Sequence, residues 1–469
     1  MSELPVRPAT PPHLIRSLAA VVVGSLLLRA AAGAMGENIQ FYFNAINAAS
    51  QDPSHPLRAI VGAGNVYSIS YALGGMIIGS FFIAELLGAL VLGAWSDRFG
   101  RKWFIILGPV FGALAVLITS VTTVVWLLVF TRLLEGLSTA SNAPATLGYI
   151  AEATSESPKL RARIAGLFEI GTVGGVAIGF SLGGWLWRTF GTAARVAGIP
   201  FTSPAFAVNS LIYLGSLVVL WIGFHRVKEN RRASAVPSIS PGETIKRYWN
   251  ILRSPRVSGF APAWIAINAV LGIWINLSAR ILTDKKGLPH QILVGNFDSF
   301  SAGNVIALYA VFFILGILAW SIFFPTLKKT TTMLIGSAGL IVSCLLIFGI
   351  NHQPALNAPW VLPLSILLVI SIMVQSGFTP AALAHLADIT EAHDTDRGAI
   401  MGLYSVFLGL GQFLGASVGG LFVDWRGADG MALITGLLGV FAAWLVIRGR
   451  IADSSLKIPS QATQPQVKN

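Results

Sequence analysis

The sequence is poor in charge. Only 11% of its 469 residues are Asp, Glu, Lys or Arg, where a soluble domain carries about 25%. A chain that cannot cover itself with charge faces lipid or other protein. Cysteine is nearly absent too: Cys344 is the single one, so no intrachain disulfide forms and the redox compartment is not legible. The seven histidines have no metal-ligand spacing, and there is no phosphate-binding glycine loop, Walker A pattern or catalytic triad. These absences argue against an enzyme and against a bound cofactor or metal. The net charge of +12 could suggest nucleic acid, but the cations lie in short loops between apolar runs, which is what orientation in a bilayer requires.

What the chain has in quantity is apolar runs. A membrane helix needs about 20 consecutive, mostly apolar residues. That measure finds twelve spans, at 14–43, 66–94, 103–123, 125–150, 165–187, 204–225, 257–279, 303–324, 331–350, 361–386, 398–421 and 430–448. The first is too long for a cleaved signal peptide and carries Arg29, so it reads as a retained span. With the N-terminus inside, the inner segments hold 23 Lys and Arg against 7 in the outer loops. Both termini are therefore expected in the cytoplasm, in a multi-pass protein of the plasma (inner) membrane. A basic stretch at 226–256, with Pro237 and Pro241, reads as a linker between an N-terminal half (1–225) and a C-terminal half (257–450), followed by a tail at 451–469. The outer loop 44–65 has no evident role.

An internal repeat supports that division. With a shift of 236 residues, Pro144-Ala145 falls on Pro380-Ala381, Glu152 on Asp388 and Arg161 on Arg397. Gly175, Gly179, Gly183 and Gly184 fall on Gly411, Gly415, Gly419 and Gly420 without a gap. The halves are a parallel duplication.

Between the second and third runs stands Gly93-Ala-Trp-Ser-Asp97-Arg98-Phe-Gly100-Arg101-Lys102. Orientation in the bilayer explains the cations but not the lone Asp97 or the glycine spacing. This short loop resembles the G-x-x-x-D-R-x-G-R-K signature of major facilitator superfamily transporters, with every signature position filled. The resemblance implies an all-α membrane protein of twelve transmembrane helices in two six-helix halves related by a pseudo-twofold axis. It also implies a cytoplasmic gate made of Gly93, Asp97, Arg98, Gly100, Arg101 and Lys102 with the duplicated pairs Glu152/Arg161 and Asp388/Arg397. The matching place in the second half, Phe324 to Lys329, lacks the signature's acid and glycines, so the latch is expected on one side only.

Six ionisable residues fall within spans clear of their outermost positions, all in the first half: Arg29, Glu37, Glu85, Arg132, Glu135 and Glu169. A charge near mid-membrane costs at least about 2.5–3.5 kcal/mol, so it faces a cavity or a partner. Arg132-Leu-Leu-Glu135-Gly136 resembles the span-4 signature R-x-x-x-G of proton-coupled members. Desolvation and a nearby arginine act on a carboxylate in opposite directions and keep it able to exchange a proton. Proton coupling is thus assigned to Glu85 first and Glu37 second, with Arg29, Arg132 and Glu135. Gly175-x-x-x-Gly179-Phe180-x-x-Gly183-Gly184 resembles the span-5 signature of drug–proton antiporters, with Phe180 where that signature has proline. Its glycines are expected to seal the contact between the halves. Asn268, Trp274, Asn276, Asn304, Gln375, Tyr404 and Gln412 are candidates for the substrate cavity.

The expectation is a monomeric secondary transporter working by alternating access, with a small molecule, protons and the lipid bilayer as partners and no nucleic acid. Export of a lipophilic or cationic compound leads. A proton-driven importer of a polar metabolite, a lipid or lysolipid carrier, and a transport-dead sensor are the alternatives.

Overall fold

A computed structural model of the chain describes residues 12–155, 157–223, 253, 255–323, 327–391 and 397–456. Most of the linker, Phe324 to Thr326 and the end of the tail lie outside them. Long helices dominate: α1 (Pro12–Gln51), α2 (Tyr71–Phe99), α3 (Arg101–Thr119), α4 (Val125–Ala153), α5 (Pro158–Phe190) and α6 (Pro204–Gly223). The second half has α7 (Pro255–Leu282), α8 (Ser299–Phe323), α9 (Lys329–Asn351) and α10, which runs Val361–Gln375 and resumes as Phe378–Glu391. The last helix, Arg397–Leu456, breaks at Gly427 (φ +62°, ψ −136°), which divides it into α11 (397–426) and α12 (428–456). Among the described residues, length and hydropathy pick out ten candidate membrane spans. The twelve expected runs are all present. The helix α4 is not one of the ten because Arg132 and Glu135 are followed by Ser138, Thr139, Ser141 and Asn142, and α11 with α12 count as one.

The outer surface has the composition that lipid demands. Ile322, Leu362 and Leu345 are 73%, 69% and 67% exposed, whereas soluble monomers rarely expose extended apolar patches. Inside, each half has its own core. One holds Met35, Ile39, Tyr42, Ile77, Val116 and Tyr213; the other holds Phe260, Trp264, Met333, Phe378 and Phe407.

Three boundaries differ from the sequence reading, each for a local reason. The first helix continues past residue 43 to Gln51 because polar groups pin its end: Asn47 accepts from Ile69 N (2.6 Å) and donates to Ile69 O (3.0 Å). The loop 44–65 is therefore largely ordered chain, with a short helix Pro56–Val61 whose Leu57 is buried. The Gly93–Lys102 stretch is not a loop. Helix α2 continues to Phe99, and Gly100 alone turns the chain, at φ +97°, a region that favours glycine.

The duplication is visible in the packing. Gly175 meets Leu26 O, Arg29 Cβ and Ala30 N on α1, as Gly411 meets Ile265 O, Asn268 Cβ and Ala269 N on α7. Gly179 lies on Ala30 O as Gly415 lies on Ala269 O. Small residues let these backbones approach closely. Most of the glycine stripe does not join the halves, although the span-5 likeness implies that its glycines do. Gly175, Gly179 and Gly183 hold α5 on α1, and Gly411, Gly415 and Gly419 hold α11 on α7, because they share the face toward their own half. Only the next residues reach across: Gly184 lies on Ser299 and Phe300 of α8, and Gly420 on Tyr71 and Ala72 of α2.

Candidate functional site

The packing register places Arg29 opposite Asn268 and Glu37 opposite Asn276 across the pseudo-twofold axis. On the first-half side these positions carry charge, and on the second they carry amides. Arg29 Nη1 stands 3.7 Å from Glu85 Oε1 on α2, with side chains 19% and 30% exposed. Behind this half-open pair, Arg132 and Glu135 form a closed ion pair, 4% and 1% exposed. Tyr213 OH donates to Glu135 Oε1 (3.2 Å), and the Arg132 guanidinium lies 5.1 Å from the Phe81 ring centroid. Residues three apart share a helix face, which is why Arg132 and Glu135 meet. Glu37 is fully buried against α5, and neither of its carboxyl oxygens has a hydrogen-bond partner.

The second-half residues do not gather in one place. Asn268 and Asn276 donate back to the carbonyls of Trp264 and Gly272 in their own helix, both at 2.8 Å. The Trp274 indole N–H points to Thr435 on α12 (3.1 Å). Gln375 donates to Tyr309 OH on α8 (3.2 Å), Asn304 and Gln412 are half-buried, and the side chain of Tyr404 lies outside the described residues.

At the Asp97 end of the bundle, Arg101 is the hub. Its Nη1 meets Asp97 Oδ1 and its Nε meets Glu152 Oε1, both at 2.7 Å. The guanidinium lies where any side chain on Gly148 would collide with it. Gly148 thus belongs to this ion-pair cluster, and the sequence reading missed it. Gly93 backs onto Pro144, Arg98 lies against the Phe99 ring and Lys102 against Trp221. Glu152 is paired with Arg101 rather than with the exposed Arg161. The side chain of Arg397 lies outside the described residues. An ion pair of this kind is also not confined to the first half. Lys329, first residue of α9 as Arg101 is of α3, holds Asp388 Oδ1 at 2.5 Å and donates to Ala384 O (3.0 Å). The second half has lost the glycines and the acid but keeps the cation, and one cation suffices for the pair.

At the opposite end the halves are tied to each other. Gln40 donates to Ile275 O (3.0 Å), and Asn44 to Arg280 O (2.7 Å) and Thr283 Oγ1 (3.1 Å). Arg280, 1% exposed on α7, donates to the carbonyls of Ser70 (2.9 Å) and Ile69 and stacks 4.0 Å from the Tyr71 ring centroid. Tyr71 OH donates to Asp284 (2.8 Å), and Asp424 on α11 accepts from Tyr71 N (2.7 Å) and Ala72 N (2.9 Å). A carboxylate from one half thus caps the N-terminus of α2 in the other. The sequence reading left the second-half spans without a charge clear of their ends. Arg280 does not overturn that, because it sits in the last turn of α7, but it is helical and buried rather than in an outer loop.

The sequence profile of the Major Facilitator Superfamily matches residues 18–293 and again 288–468. The chain belongs to this superfamily. It is a membrane transporter, not an enzyme. Multidrug resistance protein 2 of Bacillus subtilis is 23% identical over 350 residues, covering 75% of this chain and 80% of its own. The class E tetracycline resistance protein of Escherichia coli is 27% identical over 265 residues, covering 53% of the transporter and 60% of its own chain. In fold, the transporter resembles a point mutant of the nucleoside transporter NupG, with a TM-score of 0.71 at 13% identity, covering 93% of this chain and 99% of that one.

Proposed function

We propose that the transporter is a monomeric, proton-coupled exporter of a small lipophilic or cationic compound, working by alternating access in the plasma (inner) membrane with its termini and Asp97 end in the cytoplasm. Residues 1–225 and 257–450 are its two moving halves, joined by the linker 226–256. The conformation described is closed at the Asp424 end, where hydrogen bonds cross between halves. At the Asp97 end the ion pairs of Arg101 and Lys329 stay within one half, which supports reading that end as the open one. The likeness to drug and tetracycline resistance proteins supports export.

One observation carries the coupling. The intramembrane carboxylates belong to the first half, and of their arginine pairs only Arg29–Glu85 is long and half-open. A pair loosely made in one conformation can be remade in the other, so a proton or a cationic substrate at Glu85 biases the two states. Arg132–Glu135, sealed with Tyr213, positions that region from behind. The substrate lies between Glu85 and the amide-bearing face of the second half.

The test uses everted vesicles energised by respiration, with a lumenal pH dye and a panel of lipophilic cations. The expected result is substrate-dependent release of lumenal protons by the wild type and none by Glu85→Gln. Proton release that Glu85→Gln leaves intact moves the coupling site away from Glu85. No release with any compound on the panel removes the export reading.

A further inference from the structure

On the outside of the second half, α7, α11 and α12 leave a groove of about 310 Å³. Pro262 and Ala266 line its α7 side, Leu414 and Val418 its α11 side, and Leu438 and Phe441 its α12 side. Leu414, Val418 and Phe441 are 37%, 41% and 43% exposed. They continue the lipid-facing rows Leu410–Leu421 of α11 and Leu437–Trp444 of α12. No polar side chain points into the groove to orient a transported compound, which separates it from a substrate site.

The groove's neighbour on α12 is a cation. Phe441 stacks on Trp444 (centroids 6.0 Å apart, planes at 25°), and Arg448 lies over the Trp444 ring at 5.6 Å. Arg448 and Arg450 are both exposed. Seven residues of helix place Arg448 about 10 Å beyond Phe441 along the axis, toward the Asp97 end. A tryptophan followed by exposed arginines at the end of an apolar helix is the pattern of a membrane interface, where tryptophans collect and cations meet phosphates.

We propose that this groove binds one anionic diacyl phospholipid from the leaflet at the Asp97 end. One acyl chain lies between α11 and α12 and the phosphate rests on Arg448. The groove supplies the apolar match for the chain. The basic end of α12 supplies charge complementarity, which favours an anionic over a zwitterionic head group. The proposal does not depend on which compound is transported or in which direction.

The experiment compares lipid retention after release from nanodiscs of equal phosphatidylglycerol and phosphatidylethanolamine, read by native mass spectrometry. Wild type is expected to keep one phosphatidylglycerol, at least fivefold over phosphatidylethanolamine. Val418→Trp fills the groove and should lower retention of both lipids at least fivefold. Arg448→Gln should keep a lipid but lose the preference. A second readout needs no variant: phosphatidylglycerol with a mid-chain diazirine should crosslink to wild-type residues 410–444. Retention unchanged in both variants, adducts confined to other helices, or displacement of the lipid by excess inorganic phosphate would each overturn the proposal.

Discussion

The two ends of this transporter are built from the same residue types used in opposite ways. At the Asp97 end, Arg101 and Lys329 each bind an acid of their own half, at the surface, with Asp97 58% and Asp388 55% exposed. At the Asp424 end, Arg280 is 1% exposed and bonds across the interface to Ser70 and Ile69. Exposed ion pairs contribute about 0–1 kcal/mol each. A buried guanidinium that makes two charge-assisted hydrogen bonds across an interface is worth considerably more. The conformation described is therefore held from the Asp424 end, and in the proposed cycle the Asp97 end is the one whose exposed pairs are free to change when the halves approach there.

The strongest test of that contrast freezes the closed end. Asn44 and Thr283 are hydrogen-bonded across the pseudo-twofold axis at 3.1 Å. In a Cys344→Ser background, Asn44→Cys with Thr283→Cys should crosslink with a short dithiol reagent and lose all transport, which reductant restores. Transport persisting at full crosslinking would mean that this end need not open. Next in size is Arg280→Ala. Losing the two charge-assisted hydrogen bonds of the guanidinium and its stacking on Tyr71 should cost this conformation about 2 kcal/mol, roughly a thirtyfold shift toward opening at the Asp424 end. Spin labels at Asp52→Cys and Lys286→Cys would report it as a longer distance, and an unchanged distribution would demote Arg280 to a packing residue. Asp424→Ala removes a helix cap worth about 1 kcal/mol, roughly fivefold, in the same direction on the same labels.

Most of the fold was legible in the sequence because lipid imposes a crude rule. Twelve apolar runs became twelve helices, and Gly175 to Gly184 found their counterparts at Gly411 to Gly420. The Asp97 end was legible in part, because Asp97, Arg101 and Lys102 are close in sequence. Its true partners were not: Glu152 binds Arg101 rather than Arg161, and Asp388 binds Lys329. A shared repeat position shows that two residues are equivalent, not which neighbour each one touches. The Asp424 end was illegible. Arg280 and Ser70, or Asp424 and Tyr71, are separated by 210 and 353 residues. Arg280 read as a loop cation because the apolar run ends at residue 279, although the helix does not. An arginine on the side that the positive-inside rule leaves sparse, next to an aspartate at 284, was the one available hint.

The smallest effect is expected where the sequence signal is loudest. Among the described residues the ion pair of Asp97 is with Arg101, and Arg101 keeps Glu152 without it. Asp97→Asn should therefore change thermal stability by no more than about 1 kcal/mol. Its cost falls on the other conformation, where the Asp97 end must close, so turnover should slow about tenfold while substrate affinity measured without a gradient holds. Gly148→Ala should reproduce that slowing from the opposite helix, because a methyl group there displaces the Arg101 guanidinium. If Asp97→Asn slows turnover and Gly148→Ala does not, the aspartate acts without Arg101. If both destabilise the fold instead, the Asp97 end is a structural brace, and the difference between the two ends is one of degree.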